Sequence, residues 1–222
     1  MTYIHEDVEI DPPTPQLLDT PGSRPDLTLL IPVHNEEAML TAAVTGLLAR
    51  ARECLPSFEL LLVENGSRDG TPALARELAR RHAEVRVLSL PAADYGLALR
   101  EGMRAARGRL LVNFDLDFHD LDFARQACAL EPFGYDIIVA SKNARLSQDH
   151  RPLLRRIISG TYKYLLYYGF DLLLSDTHGI NALRNDAELG RLLDETRSNR
   201  EVFDTELILR SQYAGRKLLE LP

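Results

Sequence analysis

The sequence predicts an α/β domain in which a mainly parallel sheet is sandwiched by helices. Five short apolar runs alternate with segments of helical periodicity, which is the pattern of strand-helix units. Each run is almost continuously apolar, as expected for parallel strands covered on both faces. The runs are Leu27–Ile31, Leu60–Val63, Val85–Leu88, Leu110–Phe114 and Ile137–Ala140. A chain of 222 residues with 45% hydrophobic content is suited to one such domain.

The N-terminal segment has a different composition from the rest. Residues 1–26 contain Pro12, Pro13, Pro15, Pro21 and Pro25 among acidic and polar residues. Such a segment has too few apolar residues to build a core, so we predict an irregular, proline-rich arm. The α/β domain is then expected to span residues 27–222.

Helix starts are predicted from the residues that follow the strands. Asn35 is expected to cap the first helix, with the two glutamates after it in the first turn. Thr71 is expected to cap the second helix, with Pro72 at its first position. The third helix is expected from about Gly96 to Ala106.

Charge and cysteine content exclude some functions. The net charge is -7 and the isoelectric point is near 5.4, which argues against a nucleic-acid partner. Cys54 and Cys128 have neither metal-type nor redox-type spacing, so a reduced, cytoplasmic compartment is expected. Residues 1–9 lack the apolar segment of a secretory signal, and no apolar run is long enough to span a membrane.

The polar segments that follow four of the strands are expected to meet. They cover residues 32–37, 64–70, 91–96 and 115–117. In a parallel sheet these segments lie at one edge, where ligands of such sheets bind. Asp115 and Asp117 stand two residues apart and should lie on the same side of the backbone. Alone, the pair is as easily an acidic loop, but beside three other polar segments it indicates a Mg²⁺ or Mn²⁺ site that holds substrate phosphates.

The order of these motifs resembles family 2 glycosyltransferases of the GT-A fold, in particular the polyprenyl-phosphate (dolichol-phosphate) mannosyl- and glucosyltransferases. The matching segments are Leu30–Glu37, Val63–Thr71, Gly96–Gly108, Asp115–Asp117, Ser141–Lys142, Arg155–Ser159, Ser175–Gly179 and Phe203–Leu207. The resemblance covers essentially residues 27–222. A sugar-phosphate nucleotidyltransferase would need a glycine-rich loop after the first strand, and an oxidoreductase of the Rossmann type would need Gly-x-Gly-x-x-Gly; both are missing.

The resemblance implies an inverting transferase that moves a hexose from a GDP- or UDP-sugar. It implies a Mg²⁺ or Mn²⁺ cofactor bound by Asp115 and Asp117, with His119 as a third ligand; the alternative for His119 is an exposed loop histidine. An imidazole would favour Mn²⁺. The residues implied to bind the nucleotide are Pro32, Asn35, Glu37, Glu64, Asn65, Ser67, Asp94 and Asp115.

A polyprenyl-phosphate acceptor is also implied. Lys142, Arg155 and Ser159 match the residues that bind the acceptor phosphate, and the last two would share one helical face. A hydroxyl acceptor would need a general base, for which Asp176 matches by position. Asp204 and Glu206 either shape the site or only begin a charged helix; no finer assignment follows from the sequence.

An apolar, tyrosine-rich stretch follows the basic residues. Its periodic positions are Leu154, Ile157, Ile158, Thr161, Leu165 and Tyr168. Such a helix can lie in a membrane interface, here the inner face of the cell membrane, or can serve as packed core or as a homodimer face. Because Glu64-Asn65 and Lys142 depart from the family pattern, a non-catalytic nucleotide-sugar-binding relative and a transferase acting on a soluble hydroxyl acceptor remain alternatives.

Overall fold

The computed structural model describes residues 24–140, 180–198 and 202–221. In these residues the strands form one seven-stranded sheet in the order β3-β2-β1-β4-β6-β5-β7. The strands are β1 (Leu27–Val33), β2 (Phe58–Asn65), β3 (Val85–Leu90), β4 (Leu110–Asn113), β5 (Ile137–Ala140), β6 (Asn181–Arg184) and β7 (Leu218–Leu221). The first 23 residues of the predicted arm lie outside the described residues.

The sheet is mainly parallel, as predicted. Strands β2 and β4 pair with β1 in parallel, β3 pairs with β2 in parallel, and β7 pairs with β5 in parallel. Strand β6 runs antiparallel to both of its neighbours, β4 and β5. All five predicted strands are present, and the first three extend two or more residues beyond the predicted ends. Strands β6 and β7 were not predicted; pairing with strands distant in sequence defines them.

Helices cover both faces of the sheet. They are α1 (Leu40–Cys54), α2 (Thr71–Arg81), α3 (Tyr95–Ala105), α4 (Leu121–Leu130), α5 (Ala187–Glu195) and α6 (Phe203–Tyr213), with a 3₁₀ turn at Glu131–Phe133. Helices α1, α2 and α4 pack on one face, and α3, α5 and α6 on the other. Neighbouring residues of β1 therefore enter different cores: Leu29 and Ile31 face the first layer and Leu30 the second, all fully buried. This explains why the strands read as continuously apolar.

Two predicted helix caps are wrong. Helix α1 begins at Leu40 with Met39 at the cap position and no side-chain cap, because Asn35 adopts a left-handed backbone (φ 55°) and its side chain bonds elsewhere. Helix α2 begins at Thr71 itself, and Gly70 occupies the cap position. Pro72 does lie in the first turn, as predicted. Asp94 caps α3 by accepting a hydrogen bond from the Leu97 amide.

The strand order places a ligand crevice between β1 and β4. The chain adds β2 and β3 on one side of β1 and then returns to place β4 on its other side. At such a reversal the connecting segments leave in opposite directions and open a crevice at the carboxyl ends of the strands. Val33 ends β1 and Asn113 ends β4 at this edge. The segment with Asp115 and Asp117 follows directly.

Candidate active site

The loop after β1 is tied to the loop after β2 by side-chain hydrogen bonds. The side-chain Oδ1 of Asn35 accepts from the Arg68 backbone amide at 2.8 Å, and the Asn35 backbone amide donates to Ser67 Oγ at 3.0 Å. His34 Nδ1 donates to the Asn65 carbonyl at 2.8 Å, since a carbonyl can only accept. Asparagine tolerates the left-handed backbone here better than most residues. Asn35 and Ser67, both predicted to bind nucleotide, thus also hold the two loops together.

A second set of bonds fastens the same loops closer to α2. Glu37 accepts from the Gly70 amide at 2.9 Å, and the Glu37 amide donates to Asp69 at 3.2 Å. Asp69 also accepts from the Thr71 amide at 3.0 Å. Glu37 keeps an exposed carboxylate, so this loop contact and the predicted nucleotide contact are compatible. The rim of the crevice is therefore preorganised by its own side chains.

Glu64 and Asn65, which replace the family's acidic pair, are buried at the end of β2 with 4% and 6% exposure. Glu64 accepts from the Ser67 amide at 2.6 Å. The Asn65 side chain accepts from the Asp94 amide at 2.8 Å, which joins the β2 loop to the start of α3. Both side chains are therefore buried and hydrogen-bonded. Their predicted contact with nucleotide stays a prediction, and so does that of Asp94 and of half-buried Pro32.

Gly66 lies where the loop after β2 packs against the segment before α3. It has φ +63°, and a Cβ there would lie 2.6–2.7 Å from the backbone of Ala92 and Ala93. We expect Gly66→Ala to lower the free energy of unfolding by about 2–4 kcal/mol, from the left-handed strain and the overlap together. Urea unfolding measures this. The control is Gly46→Ala, in an exposed position of α1 with open space around it, which should gain up to about 1 kcal/mol. Equal changes in the free energy of unfolding for Gly66→Ala and Gly46→Ala would contradict the packing argument.

Asp115 and Asp117 are both exposed and share one side of the segment after β4. The residues between and before them, Phe114 and Leu116, are buried at 1% and 6% exposure. The buried side chains of Phe114 and Leu116 anchor the segment and leave both carboxylates exposed to solvent. The sequence predicted this arrangement of the pair. Their role as metal and diphosphate ligands remains a prediction.

His119 lies at the end of the same segment. It is half-buried, its ring lies 6.4 Å from the Phe114 ring, and burial and the charge of Arg50 lower its pKa. A histidine that stays neutral can bind a metal ion. Within residues 24–140, 180–198 and 202–221, however, no three His, Cys, Asp or Glu residues group into a metal site. Asp115, Asp117 and His119 therefore do not form a preassembled three-ligand cluster there.

A buried polar cluster lies under the crevice on the α3/α6 face. Asn113 ends β4 opposite Asn181 of β6, and both are almost fully buried. The Tyr95 side chain, at the start of α3, is hydrogen-bonded to Asn113. Among the described residues, the buried Asn113 Oδ1 has no hydrogen-bond partner, which is costly unless another group, a ligand or water serves it. The sequence analysis missed Tyr95, Asn113 and Asn181; the polar Asn113 inside an apolar strand run was the available signal.

Asp204 completes this cluster from the first turn of α6. It is 6% exposed, and burial together with the charge of Asp115 raises its pKa to about 7. Burial and the charges of Asp204 and Asp115 also raise the pKa of Tyr95, so that hydroxyl keeps its proton. A buried carboxylate within the field of a second one is costly unless a cation or hydrogen-bond donors compensate. Asp204 is thus buried within the electrostatic field of Asp115, and its role, which the sequence analysis left open, stays a prediction.

Glu206, which the sequence analysis considered together with Asp204, has a different role. Burial alone would raise its pKa, but bonds from the Ser198 and Arg197 amides and from Arg210 lower it to about 2. Its charge stabilises the folded state above the ordinary pKa of 4.5, and this stabilisation is lost as pH falls toward 2. Glu206 is therefore a structural carboxylate.

We expect Glu206→Gln to lower the free energy of unfolding at pH 7 by about 1–3 kcal/mol, the usual value for hydrogen bonds to a charged group. The loss should shrink as pH falls through the range between 4.5 and about 2, because the wild-type carboxylate is then protonated as well. Urea unfolding at pH 7 and pH 3 measures both. Glu53→Gln, at an exposed position of α1, is the control. A loss that is the same at both pH values would contradict the assignment.

The predicted acceptor residues cannot be placed. Lys142, Arg155, Ser159 and Asp176, and the apolar stretch from Leu154 to Tyr168, lie outside the described residues. Among the helices that are described, none has the length and apolar content to cross a membrane.

The fold and the crevice together define a class of protein. A mainly parallel sheet with helices on both faces and a topological switch between β1 and β4 is the architecture of a GT-A glycosyltransferase. The model of the family described as glycosyl transferase family 2 matches residues 28–188. The chain belongs to this family.

Curated relatives of this chain include three transferases of low identity. A dolichyl-phosphate beta-glucosyltransferase from Drosophila melanogaster is 29% identical, over 92% of this chain and 70% of the relative. The glycosyltransferase AglD from Haloferax volcanii is 29% identical, over 89% of this chain. An undecaprenyl-phosphate 4-deoxy-4-formamido-L-arabinose transferase from Aeromonas hydrophila is 27% identical, over 71% of this chain. The chain spans only 32% of the length of AglD and 51% of the length of the Aeromonas transferase.

Solved structures share the fold. The mannosyltransferase PcManGT from Pyrobaculum calidifontis, in complex with GDP-Man and Mn²⁺, superposes with a TM-score of 0.59 at 19% identity, over 91% of this chain and 56% of that one. A glucosyl-3-phosphoglycerate synthase from Mycobacterium tuberculosis, in complex with UDP, superposes with a TM-score of 0.60 at 17% identity. The match covers 88% of this chain and 70% of that one. At these identities the likeness concerns the fold, and it confirms the predicted GT-A architecture.

Proposed function

We propose that this protein is an inverting hexosyltransferase that uses a nucleotide-diphosphate sugar, carrying GDP or UDP, and a polyprenyl-phosphate acceptor. The observation that carries the proposal is the pair of exposed carboxylates, Asp115 and Asp117, at the topological switch between β1 and β4. The names of the Drosophila and Aeromonas relatives support a lipid-phosphate acceptor. The complexes of the structural neighbours support a nucleotide-sugar donor.

The donor set fits a divalent cation. Asp115 and Asp117 offer the oxygen ligands that Mg²⁺ and Mn²⁺ accept, and substrate phosphates and water would supply the rest. Burial and, after it, the charge of Asp115 raise the pKa of Asp204 to about 7, and a nearby cation would offset the cost of this carboxylate, which supports the proposal. When bound, the cation neutralises charge on the departing nucleoside diphosphate. We propose Asp115 and Asp117 as its ligands, with His119 as a third.

The residues of the chain itself would position donor and acceptor. The rim formed by Asn35, Glu37, Glu64 and Ser67 is held by its own hydrogen bonds, so it can receive a base and ribose without reordering. Asp204, beneath Asp115, would accept a hydrogen bond from a hydroxyl of the transferred sugar. This holds the anomeric carbon in line with the incoming acceptor.

The acceptor phosphate is already an anion, so it needs positioning rather than a general base. Lys142, Arg155 and Ser159 are proposed for this, from the family pattern alone. Contact with the inner face of the membrane, through the stretch that follows them, belongs to the same proposal. If the acceptor is instead a soluble hydroxyl, Asp176 would be the proposed base.

A thermal-shift panel tests the donor half of the proposal. GDP-, UDP- and dTDP-sugars are added with and without Mn²⁺, since stabilisation of the folded state follows ligand affinity. We expect one base to raise the melting temperature in a Mn²⁺-dependent way. Transfer of radiolabelled sugar from that donor to undecaprenyl phosphate or dolichyl phosphate tests the acceptor half. A donor shift without transfer to either lipid would favour a soluble acceptor or a non-catalytic relative; no shift with any donor would refute the donor site.

A further inference from the structure

The loop segment of residues 196–198, which follows α5, is held by an arginine from α3. Arg100, in the middle of α3, donates from Nη2 to the carbonyl oxygens of Thr196 at 2.7 Å and Ser198 at 3.0 Å. Both carbonyls lie just after the end of α5, where helix carbonyls lack partners within the helix. One guanidinium thus fixes the path of the chain as it leaves α5.

The same loop is held from its other side by Glu206. Its carboxylate accepts from the amides of Arg197 and Ser198, the latter at 2.7 Å. Arg100 therefore binds the carbonyls of the loop while Glu206, one turn into α6, binds its amides. A segment held on both its donors and its acceptors has little freedom to shift relative to α3 and α6.

Arg100 also contacts the start of α6 directly. Its guanidinium carbon lies 5.5 Å from the centre of the Phe203 ring, within the range of a cation–π contact. Phe203 is fully buried and is the residue before Asp204. Arg100 thus contacts the chain on both sides of the start of α6, at the carbonyls of Thr196 and Ser198 and at the ring of Phe203 next to Asp204.

We propose that Arg100 is a positioning residue, which holds the first turn of α6 so that the Asp204 carboxyl stays aligned with Asp115. The inference rests on the proposed function, because it gives Asp204 a role in transfer. The guanidinium reaches both carbonyls through Nη2 while its central carbon lies over the Phe203 ring; a lysine ammonium could bind the carbonyls but would leave the ring uncovered. Arg104, one turn further along α3, lacks this geometry: it pairs with Glu101 and Asp194 at the surface.

The first test compares Arg100→Lys with Arg104→Lys, both of which keep the positive charge of α3. For Arg100→Lys we expect kcat to fall by about 10- to 100-fold, with KM for the donor within about 2-fold, because misplacement by about an ångström costs rate more than binding. Arg104→Lys should leave both constants unchanged. A wild-type kcat in Arg100→Lys, or equal losses in both variants, would overturn the inference.

The second test asks whether Arg100 acts through Asp204. If it does, Arg100→Lys should cause little further loss of kcat in an Asp204→Asn background, since the group it positions is already altered. If the fold-losses of kcat in the two single variants instead multiply in the double variant, the effect is general destabilisation and the inference is overturned.

The third test does not depend on turnover, so it separates this inference from the proposed function. Hydrogen exchange of the amides of residues 202–206 should become faster in Arg100→Lys and not in Arg104→Lys. Unchanged exchange in Arg100→Lys overturns the inference even if the donor shifts and the transfer assay succeed. Faster exchange supports it even if no acceptor is found, while absence of any donor shift would refute the proposed function alone.

Discussion

Replacing Asp117 by alanine is expected to abolish the Mn²⁺-dependent thermal shift with nucleotide sugar and to lower the transfer rate by about 10³-fold or more. A metal ion contributes several kcal/mol of charge stabilisation in the transition state, and each 1.36 kcal/mol is a factor of ten in rate. Asp117 is exposed, so its loss should not disturb the core. Thermal shift and transfer assays, run with and without Mn²⁺, measure the two effects.

A control for this variant lies five residues further along. Asp122→Ala removes an aspartate of the first turn of α4 whose side chain is 82% exposed and whose only near charge in the described part of the chain is Arg125 at 3.5 Å. It should keep the metal effect and the rate. A Mn²⁺-dependent shift that survives Asp117→Ala would show that the carboxylate pair is not the metal site, whereas a shift lost in both variants would point to a general effect of acidic charge.

The sequence predicted the parts of this molecule in which one periodic pattern decides the structure. Strands such as Leu27–Val33 are buried on both faces, so their side chains can only be apolar, and the run is visible without a partner. The pair Asp115 and Asp117 was predicted for a related reason, because a two-residue spacing after a strand fixes the side on which both lie. The short strands β6 and β7 have no such pattern; pairing with neighbours distant in sequence defines them.

The wrong predictions share a cause. Asn35 and Thr71 are residues that cap helices well, and each was assigned to the helix that follows it. In the structure Asn35 binds the Arg68 amide, and Thr71 Oγ accepts from the Glu36 amide. Both bonds join loops more than 30 residues apart, and such contacts outweigh a local preference. The influence of Asp115 on Asp204 could not be predicted for the same reason, because only the packing of α6 brings the two carboxylates within electrostatic range.

Replacing Asp204 by asparagine is expected to make the metal-free protein more stable and less active. The carboxyl is 6% exposed and lies in the field of Asp115, so its charge is held at a cost. An amide of the same shape removes that cost, and the free energy of unfolding should rise by about 1–3 kcal/mol in EDTA, as measured by urea unfolding. The transfer rate should fall about 10- to 100-fold, since a hydrogen bond to a charged acceptor is worth about 1.5–3 kcal/mol.

The opposite signs of the two effects are what make this prediction specific. A buried residue that serves packing alone loses stability when it is replaced, and activity falls with it. A residue that lowers stability but serves function behaves differently. Replacing it raises the free energy of unfolding and lowers activity, because the unfavourable interaction and the functional group are removed together. Ser211, buried in the same helix and bonded to the Leu207 carbonyl at 2.7 Å, is the matched control: Ser211→Ala should lower stability slightly and leave the rate unchanged. A destabilised Asp204→Asn would assign Asp204 to the scaffold of α6, and an equally active one would remove it from the site.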